Sequence, residues 1–147
     1  MKKLFLLLFT ISFSLSVIGQ DSGLGLGVIL GEPSGLSAKL WTSQKTALDA
    51  GVAWSFINVG FFHVHADLLI HSFSIDIDQG KLPVYFGLGG KIVLSRNLGM
   101  AVRVPFGIAY LFESAPVDIF LEIVPMLELL PATGIGFEGG IGVRYFF

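Results

Sequence analysis

The last fourteen residues, GIGFEGGIGVRYFF (134–147), decide the fold. Ile135, Phe137, Ile141, Val143, Tyr145 and Phe147 fall on odd positions, where Gly139 alone lacks an apolar side chain. Even positions hold Gly136, Gly140 and Gly142 together with Glu138, Arg144 and Phe146. A helix turns every 3.6 residues and cannot keep that division, whereas a strand sends successive side chains to opposite faces. The segment reads as a strand with one apolar face and one face of glycine and charge.

The same alternation recurs upstream. Its apolar rows are Leu24–Leu30, Leu36–Thr42, Leu48–Phe56, Phe62–Ile70, Leu82–Leu94, Met100–Phe112 and Val117–Ile123, every second residue being counted. Turn formers separate them at Glu32–Gly35, Thr42–Lys45, Asn58–Gly60, Asp76–Gly80, Ser95–Asn97, Ser114–Pro116 and Pro131–Gly134. With the closing segment this makes eight strands. No helical run long and apolar enough to span a bilayer follows the N-terminal segment, because glycine and charge interrupt each candidate.

Sorting the faces sets the environment. Of the 147 residues, 53% are hydrophobic and only 14% charged, with a mean hydropathy of +0.79. This excludes a disordered chain, a nucleic-acid binder and an ordinary soluble enzyme. In the eight apolar rows only Thr42, Gly90 and Gly139 are not apolar, and none is charged. The opposite face carries Lys39, Asp49, Asp67, Lys91, Arg103, Asp118, Glu122, Glu138 and Arg144, spaced by small residues. Eight strands enclose too little space for the apolar set, so a soluble barrel with those residues inside is rejected. The expectation is all-β: an eight-stranded antiparallel up-and-down transmembrane β-barrel, apolar toward lipid and polar within.

Residues 1–19 have the order of a cleavable signal peptide: Lys2 and Lys3, an apolar stretch, then Gly19. Cleavage before Gln20 leaves 20–147 as one barrel domain with a formal net charge of −4. There is no cysteine, hence neither a disulfide nor a lipoprotein anchor. Trp54, Phe56, Phe62 and Phe137 are expected at one membrane boundary, and Tyr110, Phe112, Tyr145 and Phe147 at the other. The even strand number puts both termini on the periplasmic side. Val143, Tyr145 and Phe147 form an aromatic C-terminal signature of the kind read by barrel-assembly machinery. The expected location is the bacterial outer membrane, with its lipid and that machinery as partners.

Several segments carry a family resemblance: GEPSGLSAKLW (31–41), HADLLIH (65–71), LPVYFGLGGK (82–91), VRVPFGIAYLF (102–112) and IFLEIVPML (119–127). Together they resemble a family of small uncharacterised eight-stranded outer-membrane barrels, similar in architecture to the transmembrane domain of outer-membrane protein A. The resemblance implies the fold and the outer membrane, and supplies no activity or catalytic residue. The longest link, Asp76 to Lys81, is expected at the periplasmic end, so long adhesive loops are not expected.

The charged face carries the chemistry. An unpaired charge in so narrow a space is costly by several kcal/mol, so the nine residues are expected to pair, with Arg103 and Arg144 as hubs. A salt-bridged plug is favoured over a narrow ion or small-solute channel. His63, His65 and Asp67 share a face, and the two imidazoles are the only weak candidates for a metal; without a second ligand pair, no metal and no cofactor are expected. A lipid-modifying enzyme is less favoured, because the lipid face has no Ser, His, Asp or Glu, and Ser37, Ser55 and the histidines lie inside. The glycines near Gly23–Gly27 and Gly89–Lys91 lack the dinucleotide and phosphate-loop patterns, and are read as space for Trp41, Tyr85, Phe146 and the arginines. Pro83, Pro105 and Pro125 interrupt strand patterns, and bulges are expected near Pro83 and Pro125.

Overall fold

The computed structural model describes residues 23–55, 61–78 and 80–147. The expected signal segment 1–19, its cleavage position, Phe56 and the Asn58–Gly60 turn lie outside the described residues. All strands are antiparallel, and no helix occurs among the described residues. They are β1 (Leu24–Glu32), β2 (Ser34–Trp41), β3 (Thr46–Trp54), β4 (Phe62–Ile77) and β5 (Gly80–Leu94), then β6 (Gly99–Arg103), β7 (Phe106–Phe112), β8 (Val117–Leu130) and β9 (Gly134–Phe146). Neighbours along the chain pair with one another, except that β6 and β7 lie end to end between β5 and β8; β9 pairs back to β1, and the sheet closes into a ring.

Among the described residues nine strands stand where eight are expected. The row Met100–Phe112 is divided at Val104–Pro105 into β6 and β7, which both pair with β5 on one side and β8 on the other. The division follows from two prolines lying close together. Pro105 accepts a bond from the Gly87 amide (2.9 Å), and Pro125 accepts one from the Val104 amide (3.0 Å). Each proline keeps the bond to its carbonyl and lacks the one its nitrogen would have donated. At Pro83 the β4 side of the ladder is continuous, while the β7 side skips from Lys81 to Val84.

Register fixes the dimensions. A row runs across the sheet from Gly25 through Lys39, Asp49, Asp67, Gly89, Arg103 and Met126 to Gly136. Gly25 itself pairs with Phe146, ten residues further along β9 (146 − 136). An offset of ten over eight ribbons, with β6 and β7 as one, corresponds to a strand tilt of about 40° and a ring radius of about 8 Å. The first described strand begins and the last one ends at the same end of the ring, since Gly25 faces Phe146.

Alternation sorts the side chains as the sequence implies. Leu36, Leu68, Leu88, Leu121, Ile123 and Ile141 are exposed outside, Leu88 and Ile123 at 62%. Lys39, Asp118 and Arg144 inside are at 0%. Interior glycines make room for rings from the neighbouring strand. A Cβ on Gly107 would lie 2.2 Å from the ring of its partner Tyr85, and one on Gly142 would lie 2.2 Å from the ring of its partner Phe120. At one end Trp54 pairs with Phe62; at the other, Tyr110 packs on Phe112 at 4.6 Å and Tyr145 on Phe147 at 5.1 Å.

The segment Asp76–Lys81 is not the long link expected of it. β4 continues through Ile77, and β5 starts at Gly80. A bulge between His71 and Phe73 shifts the register by one, so the apolar row moves from even to odd positions. Phe73 and Ile75 then stay on the outer face, opposite Val84 and Leu82. Likewise β8 runs beyond the expected Ile123 as far as Leu130.

Candidate functional site

The interior of the ring holds all nine residues of the expected charge network, and eight of them are buried; Glu138 is partly buried. Two arginines organise it. Arg144 and Asp118 are directly opposed on β9 and β8, and the guanidinium meets that carboxylate through Nε and Nη2, both at 3.1 Å. Its Nη1 lies 3.7 Å from Asp49 on β3, and its Cζ lies 3.9 Å from the centre of the Phe120 ring. One side chain thus joins three strands and is stacked as well, a geometry that a planar guanidinium permits and an ammonium does not.

Arg103 takes the other half of the interior. Its Nε is 2.9 Å from Asp67, its Nη1 3.2 Å from Glu138 and its Nη2 3.7 Å from Glu122. Lys91 also contacts Glu138, and the Tyr85 hydroxyl donates to Glu122 at 2.7 Å. Lys39 does not reach a carboxylate within ion-pair distance among the described residues. Its ammonium lies 2.8 Å from His71 Nε2 and over the rings of Trp41 (4.3 Å) and Tyr85 (5.2 Å). Aromatic faces attract a cation that has left water, which accounts for this placement.

The two ends of the interior differ. Toward the termini, Trp41, Ala47 and Phe146 form a buried cluster, and Leu69, Tyr85, Leu111 and Phe120 another. Toward the other end lies an open cavity of about 410 Å³, lined by Glu32, His63, Lys91, Met126, Glu128 and Glu138 among others. Below it, a pocket of about 30 Å³ is bordered by His63, His65, Arg103, Glu122 and Glu138. Glu32 accepts a hydrogen bond from Ser55 at the rim of the open cavity.

The histidines occupy different places. His63 has Nδ1 3.9 Å from Glu138, and the His65 imidazole covers Gly51, its partner on β3. His63 Nε2 and His65 Nδ1 are buried without a hydrogen-bond partner among the described residues. No group of three His, Cys, Asp or Glu suited to a metal ion occurs among the described residues. Val143, Tyr145 and Phe147 lie exposed along the outer face of the last strand.

Sequence reasoning names the hubs but not their neighbours. Phe120 under Arg144, Tyr85 on Glu122 and His71 on Lys39 all stand on the inward phase of their strands. Their partners emerge only once the register is known. No family model matches the chain, and no curated protein or solved structure matches it either. The resemblance to small outer-membrane barrels therefore rests on the quoted segments, and the fold supports its all-β, antiparallel part.

Proposed function

We propose that this chain is an integral outer-membrane β-barrel of eight membrane-crossing ribbons, β6 and β7 together making one. Its interior is a salt-bridged plug, and its role is structural or surface-interacting, without catalysis. The observation that carries this reading is the inversion of faces: the outside is apolar and exposed, while the charges are buried within. In water such a surface would drive aggregation, whereas in lipid it is the favourable one. Strands of eight or nine residues, as in β1, β2 and β3, rise roughly 20–25 Å at the inferred tilt, close to the apolar band of outer-membrane barrels.

On this reading the segment 1–19 directs export, Val143, Tyr145 and Phe147 present the assembly signature, and the termini face the periplasm. The plug is favoured over a conducting path because Arg103 and Arg144 cross the lumen, each bonded to more than one strand. Two measurements test the reading on purified protein refolded in detergent. Unboiled and boiled samples are expected to migrate differently on a detergent gel, and coincident bands would remove the barrel. Planar bilayers are expected to show no steady unitary current; a reproducible one would replace the plug with a channel.

A further inference from the structure

At 16 residues β4 is the longest of the described strands, and its last part has a neighbour on one side only. β3 begins at Thr46, opposite Ile70, and the Lys45 carbonyl accepts the His71 amide at 2.7 Å. Past that point β4 pairs with β5 alone, Phe73–Ile77 lying in regular register against Gly80–Val84 after the bulge. At the inferred tilt this ribbon projects about 15 Å beyond the β2–β3 turn, at the end of the ring where β1 begins and β9 ends. Such an edge offers a row of backbone donors and acceptors to any extended chain. At the opposite end β9 also runs past β1, from Gly134 to Glu138, but that edge is glycine-rich and carries the inward charge of Glu138. The β4 edge has neither proline nor lysine after the bulge, and residues 72–78 are all exposed.

Charge gives the edge a direction. Lys45, exposed and without an ion pair among the described residues, stands at its closed end. At the open end Asp76, Asp78 and Glu113 outnumber Lys81, which lies opposite Asp76. A strand added antiparallel to β4 runs from this acidic tip toward Lys45. It must stop there, because the β2–β3 turn occupies the space ahead. A free C-terminus stops without a turn and carries the charge that Lys45 attracts. A parallel strand would instead bring its carboxylate end to the acids.

We infer that the β4 edge binds the C-terminal segment of another protein as an added antiparallel strand, its carboxylate on Lys45 and a basic residue beside Asp76 and Asp78. The outward residues of that segment are apolar and extend the row of Phe73, Ile75 and Ile77. They alternate with small polar residues on the side of Ser74 and Asp76. A second copy of this chain is disfavoured as the occupant. Antiparallel pairing of two β4 edges relates the copies by a twofold axis across the sheet, which turns the two rings in opposite directions. The inference stands on the register of the strands and does not depend on which membrane the ring spans.

The test uses the full chain folded in detergent, with folding checked by gel migration before boiling, and a fluorescent peptide KKTVTVTV with a free carboxylate. Fluorescence anisotropy, corrected for detergent alone, is expected to show saturable binding. Amidating the peptide's C-terminus is expected to weaken binding about threefold, and Lys45→Ala is expected to erase that difference. Two peptides N-methylated at alternate residues, in opposite phases, separate strand addition from apolar adhesion. One phase is expected to lose affinity about tenfold and the other to keep it, since only one edge of an added strand meets β4. Three results would each overturn the inference: no saturable binding, equal affinities of the two N-methylated peptides, or an amidation effect that is absent or persists in Lys45→Ala. Dimerisation of the folded chain that the peptide cannot reverse would also overturn it, by giving the edge to a second copy.

Discussion

Replacing Arg103 with methionine isolates the energetic role of the interior network. The substitution keeps an unbranched apolar stem and removes a guanidinium that contacts Asp67, Glu122 and Glu138. The three carboxylates are not equally exposed to the loss. Glu138 keeps Lys91, and Glu122 keeps the Tyr85 hydroxyl. Asp67, 3% exposed, loses its only ion-pair partner among the described residues. Breaking a buried pair by removing one member destabilises by roughly 3–5 kcal/mol, because the remaining charge is stranded. In a domain of this size that corresponds to a fall in the unfolding midpoint of roughly 10–25 °C.

The midpoint is read from the temperature at which the unboiled gel band converts to the boiled one, alongside urea titration in phosphocholine vesicles. Asp67→Asn added to Arg103→Met removes the stranded charge and is expected to recover at least half of the loss. A single variant within about 1 kcal/mol of the parent would refute the network as a stabilising element. A double variant as unstable as the single would place the effect in packing rather than in charge.

Three further outcomes follow from the fold. Gly142→Ala drives a methyl group into the Phe120 ring and is expected to destabilise by about 1–3 kcal/mol in urea titration, whereas Gly90→Ala, whose nearest neighbour is 3.9 Å away, is expected to be neutral or slightly stabilising. Equal effects would mean that the interior relaxes freely around its rings. Leu121→Arg, on the exposed outer face of β8, is expected to lose about 2–4 kcal/mol in vesicles, and an unchanged stability there would contradict a lipid-facing surface. One alanine inserted between Asp49 and Ala50 is expected to abolish the folded gel band, while one inserted between Ser74 and Ile75, beyond the reach of β3, is expected to leave it; similar folding yields would dispose of the register argument.

The face pattern was legible because a period of two needs no knowledge of partners. Each of the nine network residues could be assigned to the inside from its own strand alone. What was not legible depends on contacts between strands. The bulge at Ser72 changes the phase of the apolar row in mid-strand, so alternation followed from Phe62 stops at Ile70 and misses Phe73 and Ile75. The division at Pro105 is explained by its proximity to Pro125, twenty residues away along the chain. Lys39 illustrates the limit for the site. Its charge and inward phase were plain, but its placement on His71, Trp41 and Tyr85 required three strands in register.

Closure explains why these irregularities lie where they do. Around a ring, side chains return to the same face only if the total offset is even, because successive residues point to opposite sides. The offset of ten meets that condition. A one-residue bulge on a closed row would make it odd and bring apolar side chains into the lumen. Among the described residues two register shifts occur, between His71 and Phe73 and between Met100 and Ala101. Neither lies on a row that closes. β3 pairs with β4 no further than Ile70, and β8 pairs with β9 no further than Glu128, so Leu130 opposite Met100 has no β9 partner. The uninterrupted rows between those limits include the one that carries Lys39, Asp49, Asp67 and Arg103. Charges can share the interior there because no bulge on those rows turns one of them outward.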